Sequence, residues 1–511
     1  MLIKWLVVVP IVVVALLIIM RDAVAYMRCK YYESQGFVFR FRPVLGFITL
    51  FLPSSEKRDE GDVLNPLRRA LAACKDKHGL VINDWFKMKA YIWITDYKLV
   101  KEFFVKETTC TQRFKRFNER IPMDFFYSNS QRSLDQKSAF AEMFRIEHLN
   151  EISKHIISTW RANLSQELTN KNISQVPNLV DFLVLVRPSM IEIANKVLFG
   201  GEHPVPIVEE TGEQIPKAVL AFYGKLNTDK GEFSLSNILS FGLLSRFDLT
   251  MVFIQATKEA KEIKKAIISC FEARLKLDDS QLGNNLMDIM VKANKQAGNT
   301  KFSDDEIVAF MSVFLFAGID TTSKTLTAAV YRLGLYPEIA EKIREEVINL
   351  SLDKQSVTMD ELDKAEVLGR YYREVLRVNG SGAFLFERLV TSDFMLGNIC
   401  FKKGDLINIP ITYFHSEFGG KDGEVLFEPK MVIGDQGFKS PGQAYLPFSI
   451  GKRSCPGQFL VEMTIKIFIV QIVKHLKLET DESRHKAYMK MTDGYGLDKC
   501  TVKCTLIEPF K

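Results

Sequence analysis

Residues Phe448 to Gly457 read Phe-Ser-Ile-Gly-Lys-Arg-Ser-Cys-Pro-Gly, and they put one cysteine where regular structure cannot form. Pro447, Gly451, Pro456 and Gly457 interrupt any helix or strand, so the stretch is a loop. Directly after it, Gln458 to Leu476 carries Phe459, Leu460, Met463, Ile467, Phe468, Val470 and Ile472 at helical spacing. A cysteine in a glycine-bounded turn ahead of a helix sits where backbone N–H groups point outward and the dipole favours an anion. That setting stabilises a thiolate, the form of cysteine that binds metal. Gly451 and Gly457 place no side chain in the way of a large flat ligand, and Arg453 can meet an anionic edge of it. The plain alternative for a lone cysteine is a buried structural residue.

A chain of 511 residues has room for one large core or several ordinary domains. With 47% hydrophobic and 25% charged residues it has the composition of a folded globular protein. The 68 basic and 62 acidic residues give a net charge of +6, mild and dispersed, which does not argue for nucleic acid. It suits a protein near anionic lipid or an acidic partner. The eight cysteines are scattered with no CxxC, as expected in a reducing compartment. Cys500 and Cys504 would share one face of a strand and lack partners for a zinc site.

Trp5 to Met20 is an unbroken apolar run that approaches a bilayer span, with Lys4 placed to snorkel at its start. Ala23-Val24-Ala25 resembles a signal-peptidase site, so cleavage competes with retention. The weakly basic start and the length of the run favour a retained transmembrane anchor over residues 1–22. Arg21, Arg28 and Lys30 follow the run and leave the body of the protein in the cytosol by the positive-inside rule. Sequons at Asn163, Asn172, Asn349 and Asn379 would then be unused. Residues 23–62 read as a linker and membrane-proximal segment, and 63–511 as the catalytic body.

Within that body, Asn65-Pro66 opens a helix, with Asn as cap and Pro at the first position, ending near His78-Gly79. Leu80 to Ile94 holds short strand-like runs, and Asp96 to Lys106 returns to helical spacing. Residues 107–132 are irregular and aromatic (Phe114, Phe117, Phe125, Phe126, Tyr127), and Ser133 to His148 reads as a helix. From Glu151 to Phe271 the pattern is mostly helical. Asn237 to Phe247 is apolar enough to dip into a membrane, with buried core as the alternative. No repeat, dinucleotide fingerprint or P-loop is present, so electrons for any redox chemistry must come from another protein.

Two further motifs bear on chemistry. Ser303-Asp304-Asp305-Glu306 is a capping box opening a long helix that runs to about Gly334, with Pro337 starting the next. In its middle lies Ala317-Gly318-Ile319-Asp320-Thr321-Thr322. Gly318 costs helix stability, and the Thr321 hydroxyl can bond the Ala317 carbonyl, bending the helix and opening a groove. Such a groove can hold dioxygen or water over a flat cofactor. Glu374 and Arg377 sit at helical spacing between apolar residues, a pattern that usually marks a solvated surface pair.

Phe448-x-x-Gly451-x-Arg453-x-Cys455-x-Gly457 resembles the haem-binding signature of the cytochrome P-450 family at all five fixed positions. Ala317 to Thr322 resembles that family's oxygen-activation motif, in the same order along the chain. The resemblance spans about residue 60 to the end. It implies a mainly α fold with a minor β-subdomain, here preceded by an N-terminal transmembrane helix. It implies haem b (iron protoporphyrin IX), ligated through iron by Cys455, whose electron donation favours O–O cleavage. By the same resemblance Thr321 orders hydrogen bonding at the oxygen site, Asp320 connects it to protons, and Ala317 and Gly318 line the cofactor. Glu374 and Arg377 become a buried structural pair shaping the cysteine loop, and Arg388 and Lys137 meet haem propionates.

Three positions depart from the family pattern. Ser133 stands where a tryptophan is usual, Asn379-Gly380-Ser381-Gly382 replaces a proline-rich run, and Met431 replaces an arginine, with Lys430 one residue early as a candidate substitute. The activity implied is a monooxygenase acting on a lipophilic fatty acid, sterol or xenobiotic. It would sit in the endoplasmic reticulum membrane, fed by an NADPH-dependent flavoprotein reductase, with cytochrome b5 as a further candidate donor. Lys430, Lys439 and Lys452 would help dock the reductase. A haem-thiolate isomerase or dehydratase of lipid peroxides and a degenerate haem-binding protein are the competing readings.

Overall fold

The computed structural model describes residues 16, 19–20, 22–41, 64–83, 89–113, 124–142, 144, 146–170, 178–200, 207–226, 251–299, 301–416, 425–434, 445–481, 487–490, 494–497 and 500–509. Most of the apolar run and all of Asn237 to Phe247 lie outside them, as do Phe114, Phe117 and Lys439. The chain divides into two compact units. The first comprises Met1–Phe114, Gly382–Leu426 and Ser440–Ser454, and the second Lys115–Ser381, Phe427–Lys439 and Cys455–Lys511.

The first unit is built on a six-stranded sheet. Its order is Val38–Arg40, Gly79–Asn83, Ala90–Ile94, Leu406–Asn408, Arg388–Val390 and Thr111–Arg113. Gly79–Asn83 and Ala90–Ile94 pair antiparallel, with Leu80 opposite Trp93, and both strands are buried at every position. Strands buried on both faces read as continuous apolar runs rather than alternating ones, which is why Tyr91-Ile92-Trp93-Ile94 was legible. The helix Tyr97–Cys110 follows, opened by Asp96, whose carboxylate accepts from the Lys98 N–H at 2.9 Å. The expected helix forms over Asn65–Ala72, ending well before His78-Gly79, where a strand begins, and Asn65 is its first residue and not its cap. Its side-chain oxygen accepts from the buried Arg68 instead.

A helix over residues 22–34 buries Ala25, Cys29 and Tyr32 against this unit's core. Tyr32 donates to the buried Asp405 at 2.7 Å, and Arg28 pairs with the same carboxylate at 3.2 Å. Burial pushes the Asp405 carboxyl up to about 6, with Tyr32, Arg28 and the Ala90 N–H pulling against it.

The second unit is a helical assembly around Asp304–Leu335, a 32-residue helix. Phe182–Phe199, Ile215–Leu226, Met251–Leu275, Glu366–Asn379 and Gln458–His475 all pack against it. It is the only described helix long and apolar enough to cross a membrane, and two-thirds of its most apolar window is buried in protein, which marks it as a core helix. A small sheet, Leu476–Glu479, Thr501–Leu506 and Asn178–Asp181, lies at the carboxyl end of the chain. The expected helix Ser133 to His148 is two elements, Gln131–Glu142 and Ile146–Asn170. Phe144, between them, is buried and stacks on Phe314 of the long helix with ring centroids 5.7 Å apart.

Glu306 fixes where the long helix starts. Ser303 accepts from the Glu306 N–H while the Glu306 carboxylate accepts from the Ser303 N–H at 2.8 Å, the expected capping box. The same carboxylate takes both arms of Arg132, at 2.5 and 2.7 Å, and Gln136 as well, so it ties Gln131–Glu142 to the start of the long helix. Burial pushes this carboxyl up, but Arg132 and the Ser303 N–H outweigh it and hold it below its ordinary value. A depressed carboxyl pKa adds stability above the ordinary glutamate value of about 4.3 and loses it as pH falls through the lowered value. Glu306→Ala should therefore cost about 1–3 kcal/mol at pH 7 and shrink the stability lost between pH 7 and pH 3, read by urea unfolding at both.

Candidate functional site

The loop before Cys455 belongs to the first unit. Leu446 is buried and its N–H donates to His415 Nε2 at 3.1 Å. Ser449 N–H then donates to the Leu446 carbonyl, a turn that forces Ser449 to φ 60°. Gly451 follows at φ 79°, and Gly451–Arg453 forms one 3-10 turn closed by Ser454 N–H to the Gly451 carbonyl at 3.1 Å. Glycine takes such a φ freely, whereas serine does not. Phe448 is half-buried.

Arg453 and Arg388 come together in this unit, both essentially without exposure. Arg388, on the strand Arg388–Val390, donates Nε and Nη2 to Glu107 Oε2 at 3.3 and 3.1 Å. Arg113, directly opposite Arg388 on the neighbouring strand, donates to the Arg453 carbonyl at 3.3 Å and places its guanidinium 5.1 Å from the centre of the Phe386 ring. Burial, then the charge of Arg388, pushes the Arg453 guanidinium down to about 10, and Glu107 pulls the other way. Arg388 and Arg453 thus lie in one buried cluster with Glu107. Guanidiniums are suited to bidentate binding of carboxylates, so this cluster fits a cofactor with carboxylate arms.

Cys455 is the first residue of the second unit's last segment. Of the eight cysteines it is the one classed as exposed; Cys29, Cys74, Cys500 and Cys504 are buried. Pro456 and Gly457 lead from it into Gln458–His475. Among the described residues, a side chain at Gly457 would meet nothing within 4 Å. On the long helix, Thr321 Oγ1 donates to the Ala317 carbonyl at 2.5 Å, the predicted bend-forming bond. A side chain at Gly318 would touch only the Phe314 ring, at 3.9 Å. Among the described residues no close neighbour demands glycine there, so the residue keeps room on that face for something else. Asp320 is paired with Arg187, a partner the sequence did not suggest, at 2.9 Å.

Glu374 and Arg377 are a fully buried ion pair, joined twice at 2.7 and 2.8 Å, not a solvated one. The carboxylate takes a third donor from the Glu428 N–H at 2.8 Å. Lys430 is exposed and Met431 half-buried, so a backbone group serves where the family pattern has a cation. That backbone is held by Phe427, whose ring stacks on Tyr336 with centroids 4.9 Å apart and lies under the Arg332 guanidinium. Ser133 is buried and accepts a hydroxyl hydrogen bond from Ser130 at 2.9 Å. Lys137, one helical turn on, is half-buried. Glu107, Arg113 and the Glu428 N–H were not foreseen, because nothing local in the sequence marks them.

Removing one member of a buried pair strands the other charge, so Glu374→Ala should cost about 3–5 kcal/mol by chemical unfolding. Ser449→Gly should add roughly 0.5–1 kcal/mol, because it relieves a left-handed φ and a buried hydroxyl with no hydrogen-bond partner among the described residues. A lower thermal midpoint for the glycine variant would contradict this.

The family model described as Cytochrome P450 matches residues 61–501. Among similar proteins, Putative cytochrome P450 CYP13A1 of Caenorhabditis elegans is 35% identical over 36% of this chain and 35% of its own. Cytochrome P450 3A28 of Bos taurus is 29% identical over 44% and 43%, and Cytochrome P450 4c21 of Blattella germanica is 27% identical over 42% and 43%. These matches span well under half of each relative's length. The cysteine loop, the long helix with its Thr321–Ala317 bond and the buried Glu374–Arg377 pair fall inside the region the family model covers, and on that match the chain belongs to the cytochrome P450 family.

Proposed function

We propose that the chain is a haem-thiolate monooxygenase that inserts one atom of dioxygen into a lipophilic substrate. The observation that carries this reading is a solvent-exposed cysteine, between a glycine-bounded turn and a long helix, in a chain whose oxygen-site threonine already bonds back to Ala317. Bound haem supplies the activation of dioxygen. Cys455 would hold the iron, and Arg388 and Arg453 its carboxylate arms, as the burial of both guanidiniums in one cluster supports. The remaining work belongs to the chain. Gly318 leaves room beside the bend, Thr321 offers a hydroxyl oxygen as a hydrogen-bond acceptor there, and Asp320 passes protons to it. Glu374 and Arg377 hold the backbone at Glu428, without touching reactants.

The lipophilic substrate, the flavoprotein reductase and cytochrome b5 belong to this proposal, as does single-pass anchoring in the endoplasmic reticulum membrane by residues 1–22. The apolar run supports the anchor, and the dispersed positive charge suits an acidic electron donor. Spectroscopy and turnover test the reading together. The reduced protein with carbon monoxide should give the thiolate-ligated difference band, Cys455→Ser should lose it, and NADPH consumption with a reductase should yield hydroxylated product. An unchanged band in Cys455→Ser, or turnover of a lipid hydroperoxide without NADPH as the sole activity, would overturn it.

A further inference from the structure

We infer that Glu107 is a positioning residue: it aims the Arg388 guanidinium at a cofactor carboxylate, and its buried charge holds the reduction potential of the iron down. The inference rests on the haem reading proposed above and adds to it a residue outside every motif in the sequence. Glu107 stands where an anion is unfavourable. It lies in the last turn of Tyr97–Cys110, and its carbonyl takes both the Thr111 N–H and the Thr111 hydroxyl, the latter at 2.5 Å. The carboxyl end of a helix disfavours negative charge, and the side chain is fully buried. Phe103 and Phe104, one turn earlier, fill the same helix with apolar groups and carry no such penalty.

What the carboxylate touches explains its presence. Oε2 accepts from Arg388 Nε at 3.3 Å and from Nη2 at 3.1 Å, while Arg388 Nη1 donates to the Phe386 carbonyl at 2.5 Å. Three of the five N–H groups of the fork are thereby fixed, and two remain among the described residues. Burial pushes the Arg388 guanidinium below its ordinary value, and Glu107 pulls it back. On its other side the carboxylate abuts the turn before the cysteine, since a side chain at Gly451 would come within 3.7 Å of Oε1. One buried anion thus meets both the arginine strand and the glycine turn.

A guanidinium clamped along one edge presents its remaining N–H groups in a fixed direction, which suits two-point binding of a carboxylate. The charge has a second effect. Reduction of a bound haem adds one electron, and hydrogen bonding, burial and charge around the cofactor set how readily it is accepted. A fixed anion in poorly screened surroundings opposes that electron. The oxidised form is therefore favoured until a strong donor is docked. A purely structural role explains the residue poorly, because a buried ion pair is often no more stabilising than apolar side chains of similar volume.

The test uses the full chain with haem, comparing parent, Glu107→Gln and Glu107→Asp by spectroelectrochemical titration without substrate. At the potential where the parent is half reduced, Glu107→Gln should show a reduced-to-oxidised ratio roughly threefold to thirtyfold higher, as expected for removing one poorly screened charge. That ratio is a midpoint about 30–90 mV higher, at about 59 mV per tenfold for one electron. Glu107→Asp keeps the charge and should stay within about twofold of the parent ratio. The oxidised spectra of all three should coincide, so that altered iron ligation does not account for the shift. In a crystal structure of the parent with haem, Glu107 should still accept from Arg388 Nε and Nη2, with a haem carboxylate on the remaining N–H groups. That structure decides the matter if Glu107→Gln does not retain its haem. An unmoved midpoint in Glu107→Gln, an equal rise in Glu107→Asp, or an Arg388 turned away from Glu107 would overturn the inference alone. A parent without the thiolate-ligated band would sink the haem reading itself.

Discussion

A 32-residue helix buried around most of its circumference cannot be positioned by its own propensity, only by what is packed on it. Most of Asp304–Leu335 is buried, and its apolar residues fall on every side. Its start is set by Glu306, which caps it and also holds Arg132 and Gln136 of another helix. Its middle is shaped by hydroxyls that bond back one turn, Thr321 to Ala317, Thr325 to Thr321 and Thr327 to Ser323. Back-bonding of this kind bends a helix, and it begins next to the glycine that leaves a face open. The residues proposed for oxygen chemistry thus share one element whose register is fixed from its amino end.

What could be read from the sequence was local. The capping box at Ser303 and the strand-like runs up to Ile94 each depend on residues a few positions apart, and each is found in place. The glycine-bounded cysteine turn is legible for the same reason, since Gly451 occupies a conformation that its neighbours cannot take cheaply. What could not be read was long-range. Arg388 meets Glu107 across 281 positions, and Asp320 meets Arg187 from a helix whose own signals end at a proline. The helix runs through Pro188 because packing against the long helix outweighs the one hydrogen bond lost, which no local propensity registers.

The replacement of an expected arginine at Met431 shows why a motif can lose a member and keep its physics. A buried carboxylate needs donors, not a particular residue. Arg377 supplies two, and the Glu428 N–H supplies the third once Phe427 is stacked between Tyr336 and Arg332. A backbone donor adds no charge, so the pair remains neutral overall and asks nothing of its surroundings.

That neutrality sharpens the contrast with the cluster around Glu107. Glu374 and Arg377 balance one against one and are finished as they stand, which suits a structural role. Around Glu107, Arg388 pairs with the carboxylate, and Arg453 is pushed down by burial and by the charge of Arg388. Desolvation costs several kcal/mol per ion, so buried guanidiniums need acceptors about them. The same two residue types thus form a closed pair in one unit and a larger cluster in the other, the cluster proposed above to meet a cofactor's carboxylate arms.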